Sequence, residues 1–590
     1  MNKKKIIIPI VIFLSVLVAV MIPYFIFLFK SAGQKGGIKA PVSASNETYV
    51  QAYKNVKAHD KYMKKQFKLV NEDVDYVSES SDTYSRSDFI DTNVRTEEVD
   101  EPDAVKTDGE YIYMTDSDGT RLAIYKVNDG KIKCMGINQI LDTGYSFGDL
   151  FISGDMLIVL GNLNRTSETF INFYDVSDKE CPKLVKTLLQ DGYYSSSRII
   201  GSKLYTFSYK NIDLNNYSKN DIESYVPSVD GEVLHPEDLI VYENAHSSYL
   251  VVTSVDTDEQ SFESKKAVMG GATIPYVSEN AIYTQINRMI ESSDTLLAKI
   301  YLGNGNLAFK CDGTFKGSLL NDYSIDEYNG YVRLVTSYQN DGGELRNSLY
   351  VLDENLEKVS VIEELAPNET VKSARFMGDI VYFVTYKVVE KFYDPLFAAD
   401  LSDPENPKIT DYVELQGFSG YLHPYGDNKL LGIGYNTDES TGMVKSIKFT
   451  MFELSDPFHI KEECTCNFIE CQKAEVLSDR KSFMYNPNDG TFGFGTFITD
   501  PYIAPGEKYE YTGPVLSENV APLETLYSYM VFDYDEELGF MIRLNEKLGK
   551  SATAYDCKKS RGIVIGDYLY IANPNKGLSA YDTTTYERIN

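Results

Sequence analysis

The sequence predicts an all-β fold, a single large β-propeller behind an N-terminal transmembrane helix and a short juxtamembrane helix. Three observations carry this expectation. In its regular parts the chain repeats a turn-and-strand unit every 45 to 49 residues, Tyr and Phe number 46 and 29 with no Trp, and one long uncharged stretch lies near the N-terminus. Aromatic side chains favour the half-buried pleated surface of strands. The chain has 590 residues and is 43% hydrophobic and 24% charged, which is ample for a buried core.

From the N-terminus, Lys3, Lys4 and Lys5 precede Ile6–Phe29, 24 residues without a charge. A membrane-spanning helix needs roughly 20 such residues at about 1.5 Å each. A signal-peptide core runs to about 7–15, and no A-x-A-like site follows, so an uncleaved anchor is expected, with cleavage as the weaker alternative. Lys30, Lys35 and Lys39 balance Lys3–Lys5, so the positive-inside rule discriminates little. A large domain after a first hydrophobic segment most often translocates. Residues 1–5 are therefore expected in the cytoplasm, 6–29 in the cell membrane as a single pass, and the C-terminal domain outside the cytoplasm.

Charge is segregated along the chain. The 57 Lys+Arg and 87 Asp+Glu give a net −30, yet residues 71–590 hold 45 basic against 85 acidic residues, −40. This acidic body argues against nucleic acid as a partner, since its binders cluster Lys and Arg. Tyr49–Val70 reads as a basic amphipathic helix, with Lys54, Lys57, Lys61, Lys64, Lys65 and Lys68 beside Tyr53, Val56, Tyr62 and Phe67. Two readings stay open for it: a helix lying on anionic headgroups, or a stalk with a solvated basic face. Asn71–Asn93, acidic and Ser-rich, reads as a flexible linker, so residues 30–92 are assigned to helix and linker and 93–590 to the propeller.

The repeat starts at Gly109, Gly154, Gly201, Glu279, Asn329, Gly378, Gly426, Gly490 and Gly566. Each start opens an alternating strand; a second strand follows, often ending in an acidic turn such as Asn172-Phe-Tyr-Asp175, then a third such as Lys183–Leu188. A period of about 40–50 residues with about four strands per unit is the signature of four-stranded antiparallel propeller blades. Nine units are countable, whereas propellers typically have up to about eight blades, so eight is expected and nine is the literal count. Two Pro/Asn/Tyr-rich insertions, Lys210–His246 and Thr499–Glu524, break the rhythm. The first has the composition of a surface loop able to carry binding, or of a disordered insertion.

The segment Thr92-Asn-Val-Arg-Thr-Glu-Glu-Val-Asp-Glu-Pro-Asp-Ala-Val-Lys-Thr-Asp-Gly-Glu-Tyr-Ile-Tyr113 closely resembles the opening motif of the secreted β-propeller domain family of bacteria and archaea, distantly similar to WD-repeat propellers. Tyr323–Arg333, Val371–Asp379, Leu401–Lys408 and Gly417–Tyr425 resemble further segments of that family, in its order. The resemblance covers roughly residues 90–590 and implies the propeller fold and export. It implies no catalytic mechanism, because fold does not fix function.

Among candidate sites, Glu97, Glu98, Asp100 and Asp103 form a carboxylate run dense enough for Ca²⁺, which takes about six to eight oxygens. The competing reading is an acidic edge paired with Lys or Arg where the propeller closes. Asp116/Asp118 and Asp256/Asp258 have Asp-x-Asp spacing without an EF-hand continuation. His423-Pro-Tyr425 and Asp326-Glu-Tyr328 are placed on inner strands, where a His beside carboxylates serves acid–base work and a hydrogen-bonded one serves structure. The seven cysteines (134, 181, 311, 464, 466, 471, 557) form no disulfide framework, and Cys464, Cys466 and Cys471 lack a complete metal set. No nucleophile elbow, HExxH, Walker A or dinucleotide fingerprint occurs in a matching context. The expected function is a non-catalytic binding or scaffold module for a cell-surface protein or glycan, without cofactor. Two alternatives are a carbohydrate hydrolase or lyase using paired carboxylates and a calcium-stabilised adhesin.

Overall fold

The computed structural model of the chain describes residues 41, 46–66, 89–90, 99–142, 144–272, 275–289, 294–387, 393–438, 444–468, 471–499, 525–550 and 559–589. The candidate anchor 6–29, Glu97, Glu98, Lys68, Cys557, most of the expected linker and the second insertion lie outside these residues. Among the described residues no helix is long and apolar enough to cross a membrane.

The strands form nine separate sheets, so the literal count of the repeat holds and the expectation of eight gives way to nine. The blades comprise residues 105–139, 145–191, 193–269, 276–316, 318–365, 369–416, 418–468, 471–550 and 561–582, numbered 1 to 9 in that order. Within a blade, consecutive strands pair antiparallel from the channel outwards. The repeat starts fall in the turn between the first and second strands, so the strand that opens each sequence unit is the second of its blade. The first strand, such as Phe418–Tyr425, is the one the periodicity passes over. Two-residue loops join Ser153 to Met156 and Met377 to Ile380, led by Gly154 at φ 56° and Gly378 at φ 58°. Hairpin turns of this length place glycine where φ is positive because a Cβ would clash with the backbone.

Nine clusters of buried side chains hold the ring, each straddling two neighbouring sheets. Blades 1 and 9 meet through Ile112 and Met114 against Ile563 and Tyr570. A flat sheet with one solvated face buries too little; two covered faces per blade explain why second and third strands such as Met156–Leu163 and Glu168–Asp175 are almost continuously buried. Losing one large side chain there costs about 3–5 kcal/mol.

Closure is made by the chain's lead-in segment. Phe89–Ile90 pairs with Ile565 and Val564, extending blade 9 beyond its first strand, so sheet membership reaches back past the boundary at 93 read from the sequence. Asp100 then forms a backbone bridge to Ile199 of blade 3 and Asp103 one to Leu150 of blade 2, before Val105–Thr107 enters blade 1. One segment thereby ties blades 9, 3, 2 and 1 across the channel.

The first insertion is ordered. Ser228–Val229 adds to the outer strand of blade 2 and Leu239–Ile240 to the outer strand of blade 3, covering two sheet edges that would otherwise present unpaired backbone. Helix α1 (Asn46–Gln66) docks on this insertion. Thr48, Ala52, Asn55 and Val56, spaced three and four apart, are buried on one side. Tyr49 Oη donates to Leu234 O at 2.7 Å, and Asn55 Nδ2 to Tyr242 O at 2.7 Å. His59 stacks on His246 at 4.8 Å, with its Nδ1 2.6 Å from Ser247 Oγ. Burial, then the neighbouring His246, brings the His59 imidazole down to about 4, and burial lowers His246 as well. The apolar side of α1 is thus occupied by protein, which corrects the reading of a helix with that side against headgroups.

Candidate functional site

First strands carry polar residues because they line the channel, and here the channel is filled by ion pairs. Arg561 of blade 9 donates from Nε to Asp103 Oδ2 and from Nη2 to Asp479 Oδ2, both at 2.7 Å. Arg198 Nη2 lies 3.2 Å from Glu101 Oε1, Arg480 Nη2 lies 3.2 Å from Asp322 Oδ1, and Lys481 Nζ lies 3.6 Å from Asp149 Oδ2. Arg480 also sits over the Tyr323 ring at 4.2 Å. Burial opposes the Arg561 charge, but Asp103 and Asp479 more than offset it and hold the guanidinium protonated. Burial likewise works against Asp479, and Arg561 with Lys481 keeps its carboxyl below the usual range. Partly compensated charges in a low-dielectric interior are tolerable only when paired in this way.

Of the four carboxylates read as a calcium run, Asp100 and Asp103 lie in the described residues, and Asp103 belongs to this plug. Asp103 faces Arg561, Asp100 accepts from Lys106 Nζ at 3.0 Å, and Glu97 and Glu98 lie outside the described residues. No group of three or more His, Cys, Asp or Glu side chains is arranged to hold a metal among the described residues. Asp116 binds Arg121 and its own turn, and Asp256 binds Lys203 at 2.6 Å. Cys464 and Cys466 lie on the outer strand Lys461–Phe468 of blade 7, while Cys471 opens blade 8.

His423 lies on an inner strand as expected, set among aromatic rings. It is fully buried, 2.9 Å from Tyr421 Oη through Nδ1 and against the Phe483 and Tyr485 rings at 4.7 and 5.1 Å. Burial, reinforced by the Arg375 charge, holds its imidazole well below the usual range, so it is neutral.

The Asp326–Tyr328 segment opens instead onto a pocket of about 410 Å³ at the channel mouth, between blades 4, 5 and 6. Its walls come from the hairpin turns Ser278–Asn280 and Tyr328–Gly330 and from Tyr276, Tyr323 and Arg375. Arg333 positions Asp326, donating from Nε at 3.1 Å, and lies over the Tyr328 ring at 4.6 Å. Glu327 accepts from Ser278 Oγ, its backbone N–H donates to Tyr276 Oη at 3.1 Å, and Lys299 Nζ lies 3.6 Å from its carboxylate. Glu279 is exposed at the rim, and Tyr328 is 37% exposed. The arrangement offers aromatic faces and carboxylate acceptors held by fixed cations, suited to a ligand rich in hydroxyl donors. Sequence reasoning singled out Asp326–Tyr328 as a candidate and met Glu279 only as a repeat start; Tyr276, Tyr323 and Arg375 escaped it as site residues, because only the ring brings three blades together. A second cleft of about 600 Å³ lies at the opposite end, at the base of the first insertion, lined by Tyr193, Tyr209, Lys210, Asp221 and Glu223.

Residues 89–586 match the family described as the beta propeller domain. An uncharacterized protein of Methanocaldococcus jannaschii is 27% identical over 454 residues, 62% of this chain and 68% of that protein. One of Archaeoglobus fulgidus is 30% identical over 313 residues, 53% of this chain and 41% of that protein, so less than half of this second relative is spanned. Among solved structures, hydrazine synthase of Kuenenia stuttgartiensis aligns over 58% of this chain and 93% of its own, with 11% identity and a TM-score of 0.32. Kluyveromyces lactis Hsv2 aligns over 62% of this chain and 99% of its own, with 9% identity and a TM-score of 0.32. The repeat, the nine sheets and the family match over nearly all of the described residues agree: the chain belongs to the β-propeller domain family.

Proposed function

We propose that the protein is a membrane-anchored, extracytoplasmic β-propeller that binds a cell-surface glycan or protein without transforming it. The observation that carries this reading is the mouth pocket. At about 410 Å³ it falls within the size of small-ligand sites, roughly 300–1,000 Å³. It mixes three tyrosines with carboxylates already engaged by Arg333 and Lys299. Carboxylates fixed in this way accept hydrogen bonds well and are poorly placed to exchange protons, which favours recognition over hydrolysis. Within the reading, a glycan fits the pocket better than a peptide, because its hydroxyls supply donors and its ring faces cover tyrosine. Anchoring and the outward placement of the domain rest on the uncharged stretch Ile6–Phe29.

Crosslinking tagged protein in intact cells with a membrane-impermeant reagent tests this proposal. Capture of a reproducible surface glycan or protein is expected. Absence of any labelling contradicts the outward placement, and turnover of a cell-wall polymer by the purified protein contradicts the non-catalytic role.

A further inference from the structure

We propose that the lysine side of α1 is a contact for anionic phospholipid headgroups, and that it sets the propeller with its mouth pocket facing away from the bilayer. The inference rests on the membrane anchoring proposed above and adds an orientation to it.

The helix is divided lengthwise. Its buried side is docked on the first insertion, and Lys54, Lys57, Lys61, Lys64 and Lys65 are exposed on the other, spaced three and four apart. Only Lys64 is paired, with Asp60 at 2.7 Å; Lys54, Lys57, Lys61 and Lys65 have no acidic partner among the described residues. A strip of four unpaired cations on a body whose residues 71–590 carry −40 is held outward, because the apolar side that would otherwise roll inward is already covered. Such a strip attracts an anionic surface through charge alone, without inserting apolar side chains. A bilayer is favoured over an acidic protein by chain length. Only 16 residues, 30–45, separate the uncharged stretch from α1, which limits their separation to about 55 Å when fully extended.

The orientation follows from which end of the blades α1 occupies. It meets the insertion between the second and third strands of blade 3, and Asn55 Nδ2 reaches Met269 Sδ at the end of that blade's outer strand, at 3.5 Å. In a four-stranded meander this is the end opposite the turns joining first to second strands. The pocket is built from those turns, Ser278–Asn280 and Tyr328–Gly330. With the lysines against the headgroups, the pocket opens to the medium.

Full-length protein reconstituted in vesicles of phosphatidylcholine, alone or mixed with phosphatidylglycerol, tests this. Flotation reports anchoring. Labelling with an impermeant amine reagent, read by mass spectrometry, compares Lys54, Lys57, Lys61 and Lys65 with Lys131 and Lys133, which are exposed on an outer strand of blade 1. With phosphatidylglycerol, labelling of the four should fall about tenfold relative to the two references and return at high salt, and it should not fall in phosphatidylcholine. Each lysine changed to Gln should weaken the anionic contact about fivefold. Equal labelling in both floated vesicle types overturns the inference and leaves anchoring intact. Flotation only with phosphatidylglycerol supports the lysine contact and contradicts the anchor; flotation with neither overturns both.

Discussion

Two regions of the channel use similar residues to different ends. In the plug, Asp103, Asp479 and Arg561 are each 35% exposed or less at the side chain and satisfy one another. At the mouth, Asp326 and Glu327 are likewise ion-paired, yet Glu279 and Tyr328 stay open to solvent. The difference is one of surplus. The interior pairs its buried charges with one another, leaving Glu101 Oε2 and Arg480 Nε and Nη1 without a hydrogen-bond partner among the described residues, whereas the mouth keeps solvent-facing acceptor and aromatic surface and can receive a ligand. Polar residues near a propeller axis are thus not by themselves a sign of a site; the informative quantity is what remains uncovered.

The strongest way to break this contrast is Arg561→Ala. It leaves the buried Asp103 and the half-exposed Asp479 without their shared cation, and a loss of about 3–5 kcal/mol in urea unfolding is expected, mostly from Asp103, since removing one partner of a buried ion pair uncovers a charge. An effect below about 1 kcal/mol would show the plug to be filled by water rather than held by pairing. The next effect concerns α1. Docked, the His59 imidazole sits at about 4 rather than its ordinary 6.5, so the docked helix prefers the unprotonated ring. Docking is then at full strength above about pH 6.5 and weakens as pH falls towards about 4, by at most about 3 kcal/mol, with Asp60 opposing the shift. Hydrogen exchange over residues 46–66 should accelerate in acid before the blades do; uniform acceleration would contradict a separately docked helix.

Smaller effects sharpen the other side of the comparison. Glu279→Gln should change stability by no more than about 0.5 kcal/mol, as exposed positions do, and Tyr328→Ala, which also gives up the Arg333 contact, by about 1 kcal/mol, so a larger loss of ligand capture is a local effect. Chelation should have the least effect. Because Asp100 and Asp103 already face Lys106 and Arg561, the melting temperature is expected to be the same with and without chelator; a clear fall would return a calcium site to the lead-in segment.

Much of the fold was legible in the sequence, because each blade repeats the same local conflict between a glycine-led turn and flanking apolar strands. The first strands were not legible as repeats. They face a channel whose contents differ from blade to blade, Arg198 in one and His423 in another, so they share no alternation. Length made nine countable, but the closing contribution of Phe89–Ile90, two residues long, is below any periodic signal. The site was legible only in fragments. Asp326–Tyr328 and Glu279 lie 47 residues apart at Asp326 and Glu279, and their meeting depends on blade geometry that no spacing encodes. The docked helix shows the same limit: its lysine periodicity was visible, while the partner of its apolar side was an insertion whose composition suggested a loop.

The central claim is that the mouth pocket receives a surface ligand, and binding of full-length protein to an array of cell-surface glycans measures it most directly. Wild type should retain one class of glycan, and Tyr328→Ala and Glu279→Gln should each lose about tenfold in affinity while the protein stays folded, the scale of one stacked ring or one charged hydrogen bond. Retention unaltered in both variants, or release of cleaved glycan from the array, would contradict it.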